Sequence, residues 1–370
     1  MPYLWEQEKW PRMTWNEELL ASPLATTAHE QGRMQGQIEA LGFDFKNEAR
    51  LTTLTEDVVN SSDIEGEHLD PNQVRSSIAR RLGMDIAGLV EADRQVEGIV
   101  EMTLDATTNF DAKLDEERLF AWHASLFPTG RSGMVRINVG SWRDDRNQPM
   151  QVVSGPMGRE RVHFQAPPAN RVEAEMANFL HWFESPSEVH PLFIAGLAHL
   201  WFLTIHPFDD GNGRIARAVA DMALARSEKS LQRCYSMSSQ IRRERRDYYQ
   251  ILEWTQKGQM DVTQWMEWFL GCLLRSIKLS QENLDIVLTK AEFWSRFATV
   301  PLNHRQIKVM NKLLDGFEGK LTSSKWARIA KCSQDTATRD INDLISRGAL
   351  RKDPAGGRST SYSPVTAKTK

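Results

Sequence analysis

Twelve consecutive residues, His206-Pro-Phe-Asp-Asp-Gly-Asn-Gly-Arg-Ile-Ala-Arg217, gather the groups needed to hold a nucleoside triphosphate and hand part of it to another molecule. His206 titrates near neutrality and can accept a proton from an incoming hydroxyl. Asp210 suits Mg²⁺, which on nucleotides takes one or two carboxylates together with phosphate oxygens. Gly211, Asn212 and Gly213 stand just before a helix expected from Arg214. Glycines at a helix entrance let backbone N–H groups converge on an anion, aided by the positive end of the helix dipole, and Asn212 can add a side-chain donor. Arg214 and Arg217 lie three apart, on one helix face, and their planar forks match phosphate oxygens. Each feature has a bland reading on its own: a His-Pro-Phe turn is common, paired arginines are usually a solvated face, and an aspartate before a helix is often an N-cap. Their joint occurrence decides the matter. Drawn independently at background frequencies, the eight specified positions would arise somewhere in such a chain with a probability on the order of 10⁻⁷.

The elements that must position these groups are mostly helical. Pro191 to Ile205 is apolar nearly all round and reads as a buried central helix whose end sets His206 at the floor of a cavity. Phe208 reads as a plug that pins the loop to the core. His199 shares a face with His206 and reads as a core or supporting residue. A zinc site from His190, His199 and His206 lacks the HExxH spacing and is set aside. Leu51, Leu54, Val58 and Val59 follow the spacing of an amphipathic helix that Gly66 can stop. Asp70-Pro71 then supplies an N-cap and a first-turn proline for a helix over 71–82. Further helices are expected over 86–108, 115–126, 170–184, 190–204, 214–226, 239–256 and 261–290. The interval 130–168 differs: Gln151-Val-Val153 and Arg161-Val-His-Phe164 flank a Gly155-Pro-Met-Gly158 turn, the pattern of an exposed β-hairpin. Trp5, Trp10 and Trp15 read as anchors packed on the body.

At 370 residues the chain is long enough for two or three domains, and its 41% hydrophobic and 26% charged content is that of an ordinary globular protein. Cys234, Cys272 and Cys332 form no CxxC pair, which argues against a disulfide framework or zinc knuckle and for a reducing compartment. The start, MPYLWEQEKWPRMTW, lacks the pattern of a signal peptide. The longest apolar stretch is too short to span a bilayer, so no membrane role and a cytoplasmic location are expected. The formal net charge of −3 hides an asymmetry: residues 301–370 hold 14 Lys+Arg against 6 Asp+Glu, about +8, leaving about −11 for residues 1–300.

Those last seventy residues have their own order. Helices are expected over 303–314, 323–330 and 334–347, with a turn at Lys331-Cys-Ser333 before the third. A strand start at Ala349-Leu350, a Gly356-Gly357 turn carrying Arg358, and a strand near Tyr362 follow. This is the order of a winged helix-turn-helix, whose third helix would present Gln334, Thr336, Thr338 and Arg339 to a groove with Arg358 on the wing. Two readings stay open: binding to DNA, or a protein-interaction or dimerisation module on the same scaffold.

The central motif resembles the HxFx[D/E]GNGRxxR signature of the Fic (filamentation induced by cAMP) family at every specified position, and the likeness spans roughly residues 90–290. The resemblance implies a mainly α protein: a Fic-type helical core with a β-hairpin flap, plus the small C-terminal winged helix-turn-helix domain. The divisions are then 1–89, a Fic-associated region with an inhibitory helix at about 51–66; 90–290, the catalytic domain; and 300–370. It implies a Mg²⁺-dependent protein adenylyltransferase that moves AMP from ATP to a Ser, Thr or Tyr hydroxyl of a target protein. By resemblance His206 deprotonates that hydroxyl and Asp210 binds Mg²⁺. Gly211, Asn212 and Gly213 hold the α- and β-phosphates, and Arg214 and Arg217 the β- and γ-phosphates. The flap at 151–165 seats the target by adding a strand. Tyr248, Tyr249 and Gln256 stand where relatives contact adenine, with core packing as the other reading of both tyrosines. Relatives often self-associate, so a homodimer is expected.

Ser61-Ser-Asp-Ile-Glu65-Gly66 fits the family's inhibitory pattern [S/T]xxxE[G/N], upstream of the motif and at the end of an amphipathic helix. The implied mechanism is competition: Glu65 pairs with Arg217 in place of the γ-phosphate, and ATP binds with its α-phosphate misaligned. The alternatives are removal of AMP from modified protein at the same site, transfer of UMP or another phosphate-bearing group, and a DNA-binding regulator whose nucleotide site is a sensor.

Overall fold

The computed structural model describes the chain except Met1 and residues 40–42, 85–88, 146–148, 156–158, 315–318, 355–359 and 367–370. It divides into two compact units, Met1–Leu279 and Ser280–Lys370. The first unit opens with α1 (Glu17–Glu39), α2 (Phe43–Ile64), α3 (Pro71–Arg81), α4 (Arg94–Thr108) and α5 (Glu116–Leu126). Two small hairpins follow, β1 (Arg131–Ser132) with β2 (Val135–Arg136) and β3 (Gln151–Ser154) with β4 (Arg161–Gln165). Then come α6 (Ala169–Glu184), α7 (Pro191–Ile205), α8 (Asn212–Glu228), α9 (Met237–Arg243), α10 (Arg245–Gln256) and the long α11 (Thr263–Arg296), which runs on into the second unit.

A helix apolar on every side can be satisfied only at the centre of a bundle. In α7 every residue but Pro191 and Ile194 is buried, and it packs along α8. Gly196 lets α11 approach closely: a Cβ there would lie 3.0 Å from both the Met266 methyl and the Phe269 ring. Around this centre lie amphipathic helices, with Leu51, Leu54, Val58 and Ile64 of α2 buried. A buried ion cluster ties α2 to α8: Arg233 pairs with Asp57 at 3.0 Å and Asp221 at 2.8 Å. Burial, then the neighbouring Asp221, pushes the Asp57 carboxyl up to about 7.

The tryptophans anchor the N-terminal segment as expected. Trp5 Nε1 donates to the Gln165 carbonyl at 2.8 Å, Trp10 Nε1 to Glu175 at 2.8 Å, and Trp15 stands edge-on to Phe193. The hairpin expected around 151–165 is present, antiparallel, with an irregularity between Val152 and Val153; residues 156–158 of its turn lie outside the described residues.

Several boundaries differ from expectation. The helix placed at 86–108 starts at Arg94, because the Asp93 side chain caps Val96 N at 2.9 Å; residues 85–88 lie outside the described residues. The helix placed at 239–256 is two, broken at Glu244, whose backbone leaves the helical region (φ −105°, ψ 24°) while its carboxylate is held by Arg275. The helix expected from 261 to 290 continues to Arg296, since Phe293 and Phe297 join the second unit's core. No described helix is long and apolar enough to cross a membrane.

The second unit adds α12 (His304–Leu314), α13 (Ser323–Ala330), α14 (Gln334–Ser346) and a hairpin of β5 (Leu350–Lys352) with β6 (Tyr362–Pro364), extended by a bridge from Leu321 to Tyr362. Trp326, Val309, Met310, Ile341 and Leu344 form its core. Lys331, at φ 52°, turns the chain between α13 and α14, and the Ser333 side chain caps α14. Gln334, Thr338, Arg339 and Asn342 face outward on α14. Thr336 does not join them: it is half-buried, its hydroxyl bonded to Ser333 at 2.9 Å, because it lies in the capped first turn. Arg358, expected on a wing, lies outside the described residues.

Candidate active site

The loop from His206 to Gly211 is shaped by its ends. His206 closes α7 in a left-handed conformation (φ 52°), and Gly211 opens α8 at φ 82°. Only glycine fits the second position: a Cβ would stand 2.9 Å from the Phe127 ring. Phe208 is fully buried and stacks on His123, ring centroids 4.2 Å apart, so it is the plug expected of it. Asn212 locks the loop: its Oδ1 accepts from Phe208 N at 3.0 Å and its Nδ2 donates to Phe208 O at 2.8 Å. The Asn212 side chain is therefore a clasp of the loop and not a donor to an anion; its backbone N–H keeps that part.

α8 starts at Asn212, two residues earlier than expected, and no side chain caps it. The first N–H groups of a helix have no intrahelical acceptor, so here they form an anion cradle at the positive end of the helix dipole.

His206 begins the loop that ends at this helix start. Its Nδ1 lies 3.2 Å from the Leu203 carbonyl; a carbonyl can only accept, so Nδ1 carries the proton and Nε2 keeps a free lone pair. Gln256 donates to the same carbonyl at 3.2 Å. Arg143 Nε donates to His206 O at 2.7 Å, holding the strained turn. Burial lowers the His206 pKa to about 4, so the ring is neutral at physiological pH and fit to accept a proton.

Asp210 accepts from Gly211 N at 2.6 Å on one carboxylate oxygen and from Ser132 Oγ on the other. The adjacent Asp209 accepts from Asn138 N at 2.8 Å and so ties the loop to the segment after β2. His123 donates through Nε2 to Asp210 O and accepts from Gly140 N, both at 3.2 Å, which fixes one neutral tautomer.

Arg217 is 3% exposed and meets α2 directly: Nη2 lies 2.8 Å from Glu65 Oε1, Nε donates to Ser61 Oγ at 2.9 Å, and Nη2 donates to Ser61 O at 2.8 Å. Gly213 makes room for that carboxylate, since a Cβ would stand 2.1 Å from Glu65 Oε1. Arg214, 1% exposed, pairs with Glu67 Oε2 at 2.6 Å and lies over the Phe127 ring.

The residues expected at adenine separate. Tyr248 is fully buried, bonded to His199 at 2.9 Å, and belongs to the core. Gln256 is buried, its amide turned to the Leu203 carbonyl that His206 also meets. Tyr249 is 37% exposed, and its hydroxyl donates to the Ile64 carbonyl at 3.2 Å, so it latches the end of α2. Sequence reasoning missed His123, Arg143, Ser132, Asp209 and Glu67. Of these only Asp209 and Glu67 had a local signal, each being a second acid beside a residue already singled out.

The Fic/DOC family model matches residues 113–224, and a domain of unknown function, DUF4172, matches residues 3–84. The chain is 24% identical over 234 residues to a protein adenylyltransferase Fic of Nematostella vectensis, covering 60% of this chain and 47% of that one. It is 31% identical over 106 residues to the one of Drosophila virilis, covering 28% and 20%. The chain thus spans less than half the length of these curated relatives. Its fold is similar to that of a Fic family protein from Desulfovibrio desulfuricans (TM-score 0.55, 21% identity, 96% of this chain and 98% of that one). It is also similar to that of Fic-1 from C. elegans (TM-score 0.51, 18% identity, 72% and 74%). The segment that builds the cradle lies within residues 113–224, which match the Fic/DOC family model.

Proposed function

We propose that the protein is a protein adenylyltransferase, moving AMP from ATP to a hydroxyl side chain of a target protein and held inactive by Glu65. One observation carries the reading: a neutral imidazole with a free Nε2 and the uncapped start of α8 stand at the two ends of one short loop, and the arginine suited to the outer phosphates is occupied by a carboxylate from α2.

In the reaction, His206 Nε2 takes the proton of the target hydroxyl as its oxygen attacks the α-phosphorus. The bond to the β-phosphate bridging oxygen breaks and pyrophosphate leaves. The N–H groups of Asn212 and Gly213 meet the charge that builds on the α-phosphate oxygens, and Arg214 and Arg217 hold the outer phosphates. Asp210 fits Mg²⁺ through its hard, partly exposed carboxylate oxygens; when bound, the ion supplies positive charge to the phosphates. The β3–β4 hairpin, whose Val153 and Val162 are exposed, offers an edge on which a target strand can add.

The test is intact-mass and autoradiographic analysis after incubation with α-labelled ATP and Mg²⁺. Glu65→Gly is expected to raise self-labelling, and adding His206→Ala to abolish it. Labelling that Glu65→Gly leaves unchanged removes Glu65 from regulation; an added mass other than that of AMP changes the transferred group.

A second reading concerns residues 300–370. The helix–turn–helix of α13 and α14 with the adjoining hairpin fits a winged helix, and the outward Gln334, Thr338, Arg339 and Asn342 are residue types that read base edges. Exposed Arg328 and Lys331 on the same element pair fit phosphate contacts to duplex DNA.

A further inference from the structure

Resting on that reading of the site, we propose that Glu67 is a second inhibitory carboxylate, so that the resting chain excludes both outer phosphates of ATP instead of admitting them misplaced. The end of α2 shows how two acids reach one target. Gly66, at φ 85°, ends the helix with paired bonds, Gly66 N to Asp63 O at 3.1 Å and Glu67 N to Ser62 O at 3.0 Å. Such a cap reverses the chain within two residues. Residues 65 and 67, on either side of the turn, then both face α8.

Glu65 takes Arg217 at 2.8 Å and Glu67 takes Arg214 at 2.6 Å. These are not exchangeable surface pairs, because both guanidinium groups are almost wholly buried. Each carboxylate keeps about a third of its side chain exposed and so has a path out to water. Glu67 is braced from α4 by Gln95 Nε2 at 3.2 Å.

A further observation identifies what the acids replace. Among the described residues, Arg214 Nε and Arg217 Nη1 are buried donors without a hydrogen-bond partner. Buried donors are rarely left unmet in folded proteins. A phosphate, with three accessible oxygens, satisfies a guanidinium more fully than one carboxylate oxygen does. The pair of acids is therefore an under-satisfying stand-in for two phosphates, and withdrawing one acid leaves the other blocking its arginine.

The experiment is fluorescence titration of the full chain with N-methylanthraniloyl ATP and the matching AMP, both with Mg²⁺, for wild type, Glu67→Gln, Glu65→Gly and the double variant. Glu67→Gln keeps the side chain's shape, and a thermal melt checks folding. It is expected to tighten ATP binding about tenfold while leaving AMP binding unchanged, because AMP has no phosphate beyond the cradle. The double variant is expected to bind ATP more tightly than either single variant. Gln95→Ala, which removes only the brace, is expected to act in the same direction and less. If Glu65→Gly gains affinity for ATP while Glu67→Gln and Gln95→Ala bind it as wild type does, the role of Glu67 is overturned and the transferase reading stands. If none of the variants binds ATP, that reading falls with it.

Discussion

A histidine serves as a base only when unprotonated and aimed, and burial with two neighbours settles both conditions for His206. Burial keeps it neutral, Leu203 O fixes its tautomer, and Gln256 holds that carbonyl in place. In the Glu65→Gly background, Gln256→Ala is expected to lower kcat about tenfold with little change in KM, as for partners that orient a reacting ring; steady-state labelling rates check it. The pH profile of the same variant should be flat between pH 6 and 8, since a base lowered to about 4 is already unprotonated there. An acid limb centred near 6.5 would contradict the low-dielectric setting. Stability follows the same shifts. His123, His199 and His206 are lowered to about 4, 3 and 4, chiefly by burial. Above the unfolded value of 6.5 both states are neutral and these residues leave stability unchanged. As pH falls below it, the unfolded chain binds protons that the folded chain refuses, so the contribution of these three histidines declines progressively toward pH 4, opposed in part by Asp57, whose raised carboxyl takes up a proton in the folded chain over the same range. Urea midpoints at pH 7 and pH 5 measure the decline.

At the scale of the element, the end of α2 is the working part. One glycine in a left-handed conformation turns two acids onto one helix, and Tyr249 latches the last carbonyl of α2. Gly66→Ala meets no steric contact, but an L-residue at that φ costs about 1 kcal/mol. The cap should loosen, and self-labelling should rise without a large loss of thermal stability. Gly213→Ala is its counterpart with the opposite result. Its Cβ displaces Glu65 but also fills the cradle, so labelling should disappear although the inhibitor is freed. The two variants assayed side by side separate removal of the inhibitor from integrity of the phosphate site.

On the scale of the whole molecule, the charge is divided: about +8 in residues 301–370 and about −11 in the rest. On the proposed DNA-binding reading of residues 300–370, the basic outward surface of α13 and α14 would draw duplex DNA through counterion release. Binding of a short duplex should weaken steeply with salt, and Lys331→Ala with Arg328→Ala should lower the salt slope by about two, one for each phosphate no longer neutralised. Fluorescence anisotropy at several salt concentrations measures this. A slope near zero would favour the protein-interaction module.

Local spacing alone made much of this legible. A run apolar on every face has to be a central helix, and glycines before a helix have to leave its first N–H groups open. An E-G pair at a helix end needs the left-handed turn that glycine alone adopts freely. These are consequences of residue type over a few positions, so His206, the cradle, Arg217 and the hairpin could be named from spacing, while Glu65 is singled out only by its likeness to the family's inhibitory pattern. What could not be named depends on residues far apart in the chain. Arg143 beneath His206, Ser132 on Asp210, Glu67 on Arg214 and Tyr249 on the end of α2 are all long-range pairings. The same holds for the bonds of Tyr248 to His199 and of Gln256 to the Leu203 carbonyl. Which partner a polar side chain meets is set by how the helices pack, and packing decides it because a buried donor must bond to whatever acceptor tertiary structure brings within reach.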